Sequence, residues 1–130
     1  VWINGKSAGF THSPDDLLRV QSAGILPPGR VKVKIAYGGT PGIAVRPPWT
    51  GGFQWEKDTK GNPWIAVSCQ SEGAKVYFPC KDHPSDEPNE GAEMIITVPK
   101  GLVVAAPGLL QKQTTKKDKT TWHYKKCICF

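Results

Sequence analysis

Short stretches in which apolar and polar residues alternate run through the chain and predict β-strands. Residues 31–37 are the clearest case, because Val31, Val33, Ile35 and Tyr37 alternate with Lys32, Lys34 and Ala36. A period of two is typical of a half-buried strand, here with its lysines turned to water. Residues 53–56 and 64–68 flank a turn-rich stretch at 58–63. That arrangement predicts a β-hairpin.

Further apolar runs predict strands at residues 2–3, 76–78, 94–98, 102–106, 109–114 and 120–130. The 14 glycines and 12 prolines exclude a helical bundle and place turns between these runs. Ser13, Pro14 and two acids form a helix-start signal, but only Leu17 and Leu18 follow, so at most one short helical turn is expected. The predicted fold class is all-β, a sandwich or curved stack of mainly antiparallel sheets.

The chain length bounds the number of domains. At 130 residues it predicts a single β-domain over 1–130. Because the last predicted strand runs to Phe130, we expect the chain to be a segment of a longer protein. No apolar run approaches the length of a membrane span and no signal peptide is visible, so no membrane partner is predicted and the compartment stays open.

The net charge of +6 is concentrated near the carboxyl end. Residues 1–110 carry 11 bases and 10 acids, whereas residues 111–130 carry six lysines and one acid, Asp118. These lysines indicate either a polyanion partner or a solvated hairpin that turns at residues 116–119. No arginine or aromatic platform accompanies them, which favours the hairpin and no nucleic-acid partner.

The four cysteines, at positions 69, 80, 127 and 129, lack the spacing of a zinc site. We expect Cys69 and Cys80 to be buried free thiols, which behave as small apolar residues. A disulfide between one of them and Cys127 or Cys129 is the alternative. The redox compartment therefore stays open.

A search for catalytic motifs finds no H-E-x-x-H zinc helix, no phosphate-binding loop and no G-x-S-x-G nucleophile elbow. The five tryptophans raise a second hypothesis, a carbohydrate-binding or adhesion module with aromatic platforms. Trp2, Trp55, Trp64 and Trp122 fall in predicted strands, where packing is their ordinary role, and only Trp49 falls in a clear loop.

Residues 51–99 resemble a family signature. It consists of a "Gly-Phe" strand at Gly52, a strand that ends at Gln70, and Phe78-Pro79-Cys80-Lys81-Asp82-His83-Pro84, with a matching strand and turn after Ile96. This combination resembles the N-terminal β-domain of the aminopeptidase N superfamily, the M-one family of zinc metallopeptidases, in its bacterial branch. The resemblance implies a saddle of β-sheets that docks on a catalytic domain.

The resemblance also implies which residues take part in function. Gln70 stands where the family places a Glu or Gln that accepts a hydrogen bond from the amino terminus of the peptide substrate. Glu72, two residues on, is a weaker candidate for the same role. The alternative for Gln70 is a side chain bonded to neighbouring backbone. The zinc ligands and the catalytic base of the family lie in the next domain, so no metal, cofactor or catalytic residue is expected in this chain. Zinc belongs to the parent enzyme, and the partners are its catalytic domain and the peptide substrate.

Overall fold

The computed structural model describes residues 1–70, 73–83, 85–86 and 88–127, and it is all-β. Among these described residues, strands account for 41% and helix for 2%, in several small antiparallel sheets. This result confirms the predicted fold class. The strands are, in order, β1 (Trp2–Ile3), β2 (Lys6–Ser7), β3 (Gly9–His12), β4 (Leu18–Gln21), β5 (Val33–Lys34), β6 (Gly52–Lys57), β7 (Pro63–Ser68), β8 (Ala92–Pro99), β9 (Leu109–Lys116) and β10 (Lys119–Lys126).

The chain divides into two compact units. The first comprises Val1–Gln54 and Ala66–Asp82, and the second comprises Trp55–Ile65 and His83–Phe130. The expectation of one domain over 1–130 stays a prediction.

The first unit begins with a small sheet in the order β2-β1-β5 and a hairpin of β3 and β4. The described residues keep within the expected limit of one short helical turn, but the helix-start signal at Ser13 begins no helix, because this segment is the turn of the hairpin. The backbone N–H and the hydroxyl of Ser13 both donate to the Leu17 carbonyl, at 3.0 and 3.1 Å, and Asp16 has a positive φ of 60°. The single helical turn of the described residues lies instead at Ala74–Val76.

The strand predicted over residues 31–37 is confirmed only at β5, which pairs with β1. Its expected half-buried face is also wrong, since Val33 and Tyr37 are both exposed. Lys34 does not simply face water, because its Nζ lies 5.2 Å from the centre of the Trp2 ring. A cation over an aromatic face is an attractive contact.

Backbone hydrogen bonds hold the start of β6 against the loop segment at residues 42–44. The Ala44 N–H donates to the Phe53 carbonyl at 2.9 Å, and the Phe53 N–H donates to the Gly42 carbonyl at 2.8 Å. Gly52 has a φ of 140°, and a side chain there would meet the Ala44 nitrogen at 2.6 Å. Glycine is therefore required where the two segments cross.

The hairpin predicted at residues 53–68 is confirmed by β6 and β7. Asp58 organises its turn. The Asp58 carboxylate accepts hydrogen bonds from the Lys60 and Asn62 backbone N–H groups, both at 2.8 Å, and from the Asn62 side chain at 2.9 Å. Such contacts are the reason that Asp favours turns.

The second unit contains a three-stranded antiparallel sheet in the order β8-β10-β9. One face carries Trp122, which is only 8% exposed, and Tyr124, whose hydroxyl donates to the Val104 carbonyl at 2.5 Å. The register of β10 and β9 shifts between His123 and Tyr124, which leaves Gln111 as an extra residue in β9. This is a β-bulge. The predicted hairpin at residues 116–119 is confirmed, and the six lysines of residues 111–130 are all exposed.

Two predicted strands do not form. Residues 76–78 overlap the helical turn, where the Phe78 N–H donates to the Ala74 carbonyl at 3.2 Å. Residues 102–106 have no strand partner and run irregularly between β8 and β9. The predicted strand at residues 120–130 is confirmed over 120–126, as part of β10. Cys127 lies beyond the strand, and residues 128–130 lie outside the described ones.

Candidate functional site

Gln70 lies in the first unit, two residues after the last residue of β7. That last residue, Ser68, is buried, and its hydroxyl accepts a hydrogen bond from the Gln54 side-chain amide at 2.6 Å. The contact ties the end of β7 to β6. The chain therefore leaves the sheet at a fixed point immediately before Gln70.

A backbone hydrogen bond joins the residues on the two sides of Gln70. The Gly73 N–H donates to the Cys69 carbonyl at 2.9 Å. The Gln70 side chain is exposed, and no described residue hydrogen-bonds it. Its carboxamide oxygen is thus presented to solvent as an acceptor. Glu72, the second predicted site residue, lies outside the described residues.

An ion pair, which the sequence analysis missed, closes the segment that follows Gln70. Lys75 Nζ lies 2.6 Å from Asp82 Oδ2. Gly73, with a φ of 78°, lies so close to this carboxylate that a Cβ there would be 2.6 Å from Asp82 Oδ1. The glycine in an otherwise ordinary polar stretch was the available sequence signal for this close approach.

Two aromatic rings lie inside the same segment. Tyr77 and Phe78 pack edge to face with their ring centres 5.0 Å apart, and the Tyr77 carbonyl accepts a hydrogen bond from the Tyr37 hydroxyl at 3.0 Å. Burial raises the pKa of the Tyr77 hydroxyl, and the negative charges that Cys69, Cys80 and Tyr37 carry when ionised raise it further. Both thiols therefore lie within electrostatic reach of one phenol.

The expectation that Cys69 and Cys80 are buried is wrong. Both are free and exposed, and so is Cys127, while Cys129 lies outside the described residues. Cys80 follows residues 76–78, which form no strand, and Cys69 lies just past the end of β7, so neither cysteine is part of a described sheet.

The tryptophans also depart in part from their expected packing. Trp122 is buried and Trp2 is partly covered, as predicted. Trp55 and Trp64, at the turn end of the hairpin, are 56% and 62% exposed, and the loop residue Trp49 is 58% exposed. The positions of Trp55 and Trp64 in strands predicted that they would be packed, but both side chains are exposed to solvent.

The described residues contain no group of three or more His, Cys, Asp or Glu side chains that could hold a metal ion. Since zinc has no ligand set among them, no step through zinc is assigned to this chain. In the same described ranges, no helix has both the length and the apolar character needed to cross a membrane.

Comparison with protein-family models, with curated proteins and with solved structures gives no match to this chain. The motif resemblance and the local geometry of Gln70 are therefore the features that bear on function.

Proposed function

We propose that this chain is part of the non-catalytic N-terminal β-domain of a zinc aminopeptidase of the aminopeptidase N superfamily. In this proposal it packs against the catalytic domain of the same parent protein. It forms part of the wall of the substrate cleft, and Gln70 faces the amino terminus of the bound peptide. The zinc ion and the residues that activate water belong to the parent's catalytic domain.

The exposed amide of Gln70, to which no described residue hydrogen-bonds, is the observation that carries the proposal. An ammonium group needs acceptors held at fixed positions. The Gln70 oxygen faces solvent, and hydrogen bonds at Ser68 and at Cys69 hold the chain that leads to it. A hydrogen bond from a charged donor contributes about 1.5–3 kcal/mol. That range is large enough to affect which peptides bind productively.

The test compares variants of the full-length parent protein on an aminoacyl substrate with a free amino group. Gln70→Ala is expected to lower kcat/KM by roughly 10- to 100-fold, because each 1.36 kcal/mol is a factor of ten. Gln70→Glu should keep or improve activity, since a carboxylate also accepts from the ammonium. Neither change should alter the melting temperature.

The matched control is Gln113→Ala, which removes an exposed glutamine on β9 and should leave kcat/KM unchanged. A substrate with a blocked amino terminus has no ammonium group, so Gln70→Ala should not change its kcat/KM. Wild-type kcat/KM for Gln70→Ala on the free-amine substrate would exclude the role given to Gln70. A parent gene that encodes no H-E-x-x-H motif downstream would exclude the whole proposal.

A second candidate function, an independent carbohydrate-binding or adhesion module, is favoured by one observation. Trp49, Trp55 and Trp64 each expose more than half of their surface. Flat aromatic faces of this kind are the usual platforms for sugar rings. Titration with soluble oligosaccharides, followed by tryptophan fluorescence, separates the two functions, because only the binding module predicts a saturable change.

A further inference from the structure

Two free thiols flank the segment that presents Gln70. Cys69 directly precedes Gln70, and Cys80 lies ten residues after Gln70, next to Pro79. Both are exposed and neither is in a disulfide. The proposed function uses neither of them.

The chain between these cysteines folds back on itself. At one end Gly73 hydrogen-bonds the carbonyl of Cys69, and at the other the Asp82 carboxylate, two residues after Cys80, contacts Gly73 and pairs with Lys75. Gly73 therefore contacts Cys69 itself and the side chain of Asp82, which lies two residues after Cys80. The common effect of the two thiols on Tyr77 agrees with this arrangement.

Short loops bring their ends together often. Two groups joined by a short connection meet at an effective concentration on the order of mM. Here the hydrogen bond at Cys69 and the Lys75–Asp82 ion pair hold both ends of the segment near Gly73. An intramolecular encounter of the two thiols therefore outcompetes encounters between chains in dilute solution.

We propose that Cys69 and Cys80 form a reversible disulfide pair when the protein meets a low-molecular-weight disulfide such as glutathione disulfide. The thiolate of one cysteine attacks a glutathione sulfur, which breaks that S–S bond and releases one glutathione thiolate. The other cysteine then attacks the mixed disulfide and releases the second. The two protein sulfurs lose two electrons, and their two protons pass to the two glutathione molecules formed.

The disulfide has a consequence for Gln70, which rests on the proposed function. It ties Cys69, the residue before Gln70, covalently to Cys80, so the oxidation state of the pair sets whether the chain at Cys69 is covalently anchored. A reductant reverses the bond. The pair is thus a site of thiol modification beside the proposed amine acceptor.

The experiment incubates the Cys127→Ser/Cys129→Ser variant with glutathione disulfide, blocks residual thiols and maps tryptic peptides without reduction. Trypsin cuts after Lys60, Lys75 and Lys81, so the two cysteines fall in different peptides, 61–75 and 76–81. The expected result is a linked pair of these peptides from a monomeric chain, with an intact mass lower by about 2 Da because two hydrogens leave. Dithiothreitol should separate them.

The matched control adds Cys80→Ser to the same background, and Cys69 should then carry only a glutathione adduct. Glutathione adducts on both cysteines without a linked pair, or links only between two chains, would overturn the proposal. The peptide map reads the disulfide whether or not the parent hydrolyses aminoacyl substrates. Its failure is therefore distinguishable from failure of the proposed function.

Discussion

Gly101 and Gly108 have the same backbone φ of 101° but different surroundings. No atom lies within 4 Å of the position that a side chain would take at Gly101. At Gly108 that position is 2.5 Å from the carbonyl oxygen of Lys125, which is backbone and cannot turn aside. Substitution at Gly101 therefore tests backbone strain alone, whereas substitution at Gly108 tests backbone strain together with a steric clash.

Alanine at each glycine should therefore destabilise the protein by different amounts. Gly101→Ala has only the cost of positive φ, about 1–2 kcal/mol. Gly108→Ala adds a backbone clash of about 1–3 kcal/mol, typical of overpacking. Urea unfolding of the two variants measures the difference. Equal losses of unfolding free energy in the two variants would show that the backbone near Lys125 moves away from the new side chain at no energetic cost.

At the scale of elements, the β6–β7 hairpin depends on one carboxylate. Hydrogen bonds from the Asn62 side chain, and then from backbone N–H groups, hold the pKa of Asp58 below its ordinary value. The folded state therefore binds the Asp58 proton less tightly than the unfolded chain does. The resulting stability is complete above the unfolded pKa and is lost as the pH falls through the folded one.

Asp58→Asn removes this titration, so the variant should be less stable than wild type at neutral pH. The gap between their melting temperatures should narrow as the pH falls below about 3.8, the ordinary pKa of an aspartate. Thermal melts across the acid range measure it. Asn62→Ala offers an independent check, since it should raise the pKa of Asp58 in an NMR titration. A gap that is constant with pH would contradict this account.

The elements that the sequence predicted best are those set by local chemistry. The β6–β7 and β9–β10 hairpins follow from turn residues that lie next to their strands. Residues 76–78 and 102–106 have strand-like composition but no neighbouring strand to pair with, and pairing is a long-range property that composition does not encode. The exposure of Cys69 and Cys80 escaped prediction for the same reason. The choice of Gln70 came from the motif resemblance alone.

At the scale of the whole molecule, the described residues expose many apolar side chains. Ala44 and Trp122 are the buried apolar side chains of the described residues, while 20 large hydrophobic ones are exposed. Exposed apolar side chains in this number favour association with other apolar surface.

The isolated chain should therefore self-associate. We expect a sedimentation coefficient that rises with protein concentration, and enhanced fluorescence of a dye that binds apolar surface. Ile95 pairs across the strands with His123, and Leu109 pairs with Lys125, so both apolar side chains lie on one face of the β8-β10-β9 sheet. They are 67% and 75% exposed. Replacing both with threonine should weaken the association. A monomer at every concentration would contradict this expectation.

The bulge at Gln111 has a consequence for how this chain tolerates change in length over evolution. Because Gln111 pairs with no residue of β10, its deletion leaves every other pair of the ladder in place and produces a regular strand. Deletion of Gln113, two positions further on, instead moves part of β9 by one residue and turns its side chains to the opposite face. Relatives of this protein that differ in length within β9 should therefore have gained or lost a residue at this one position.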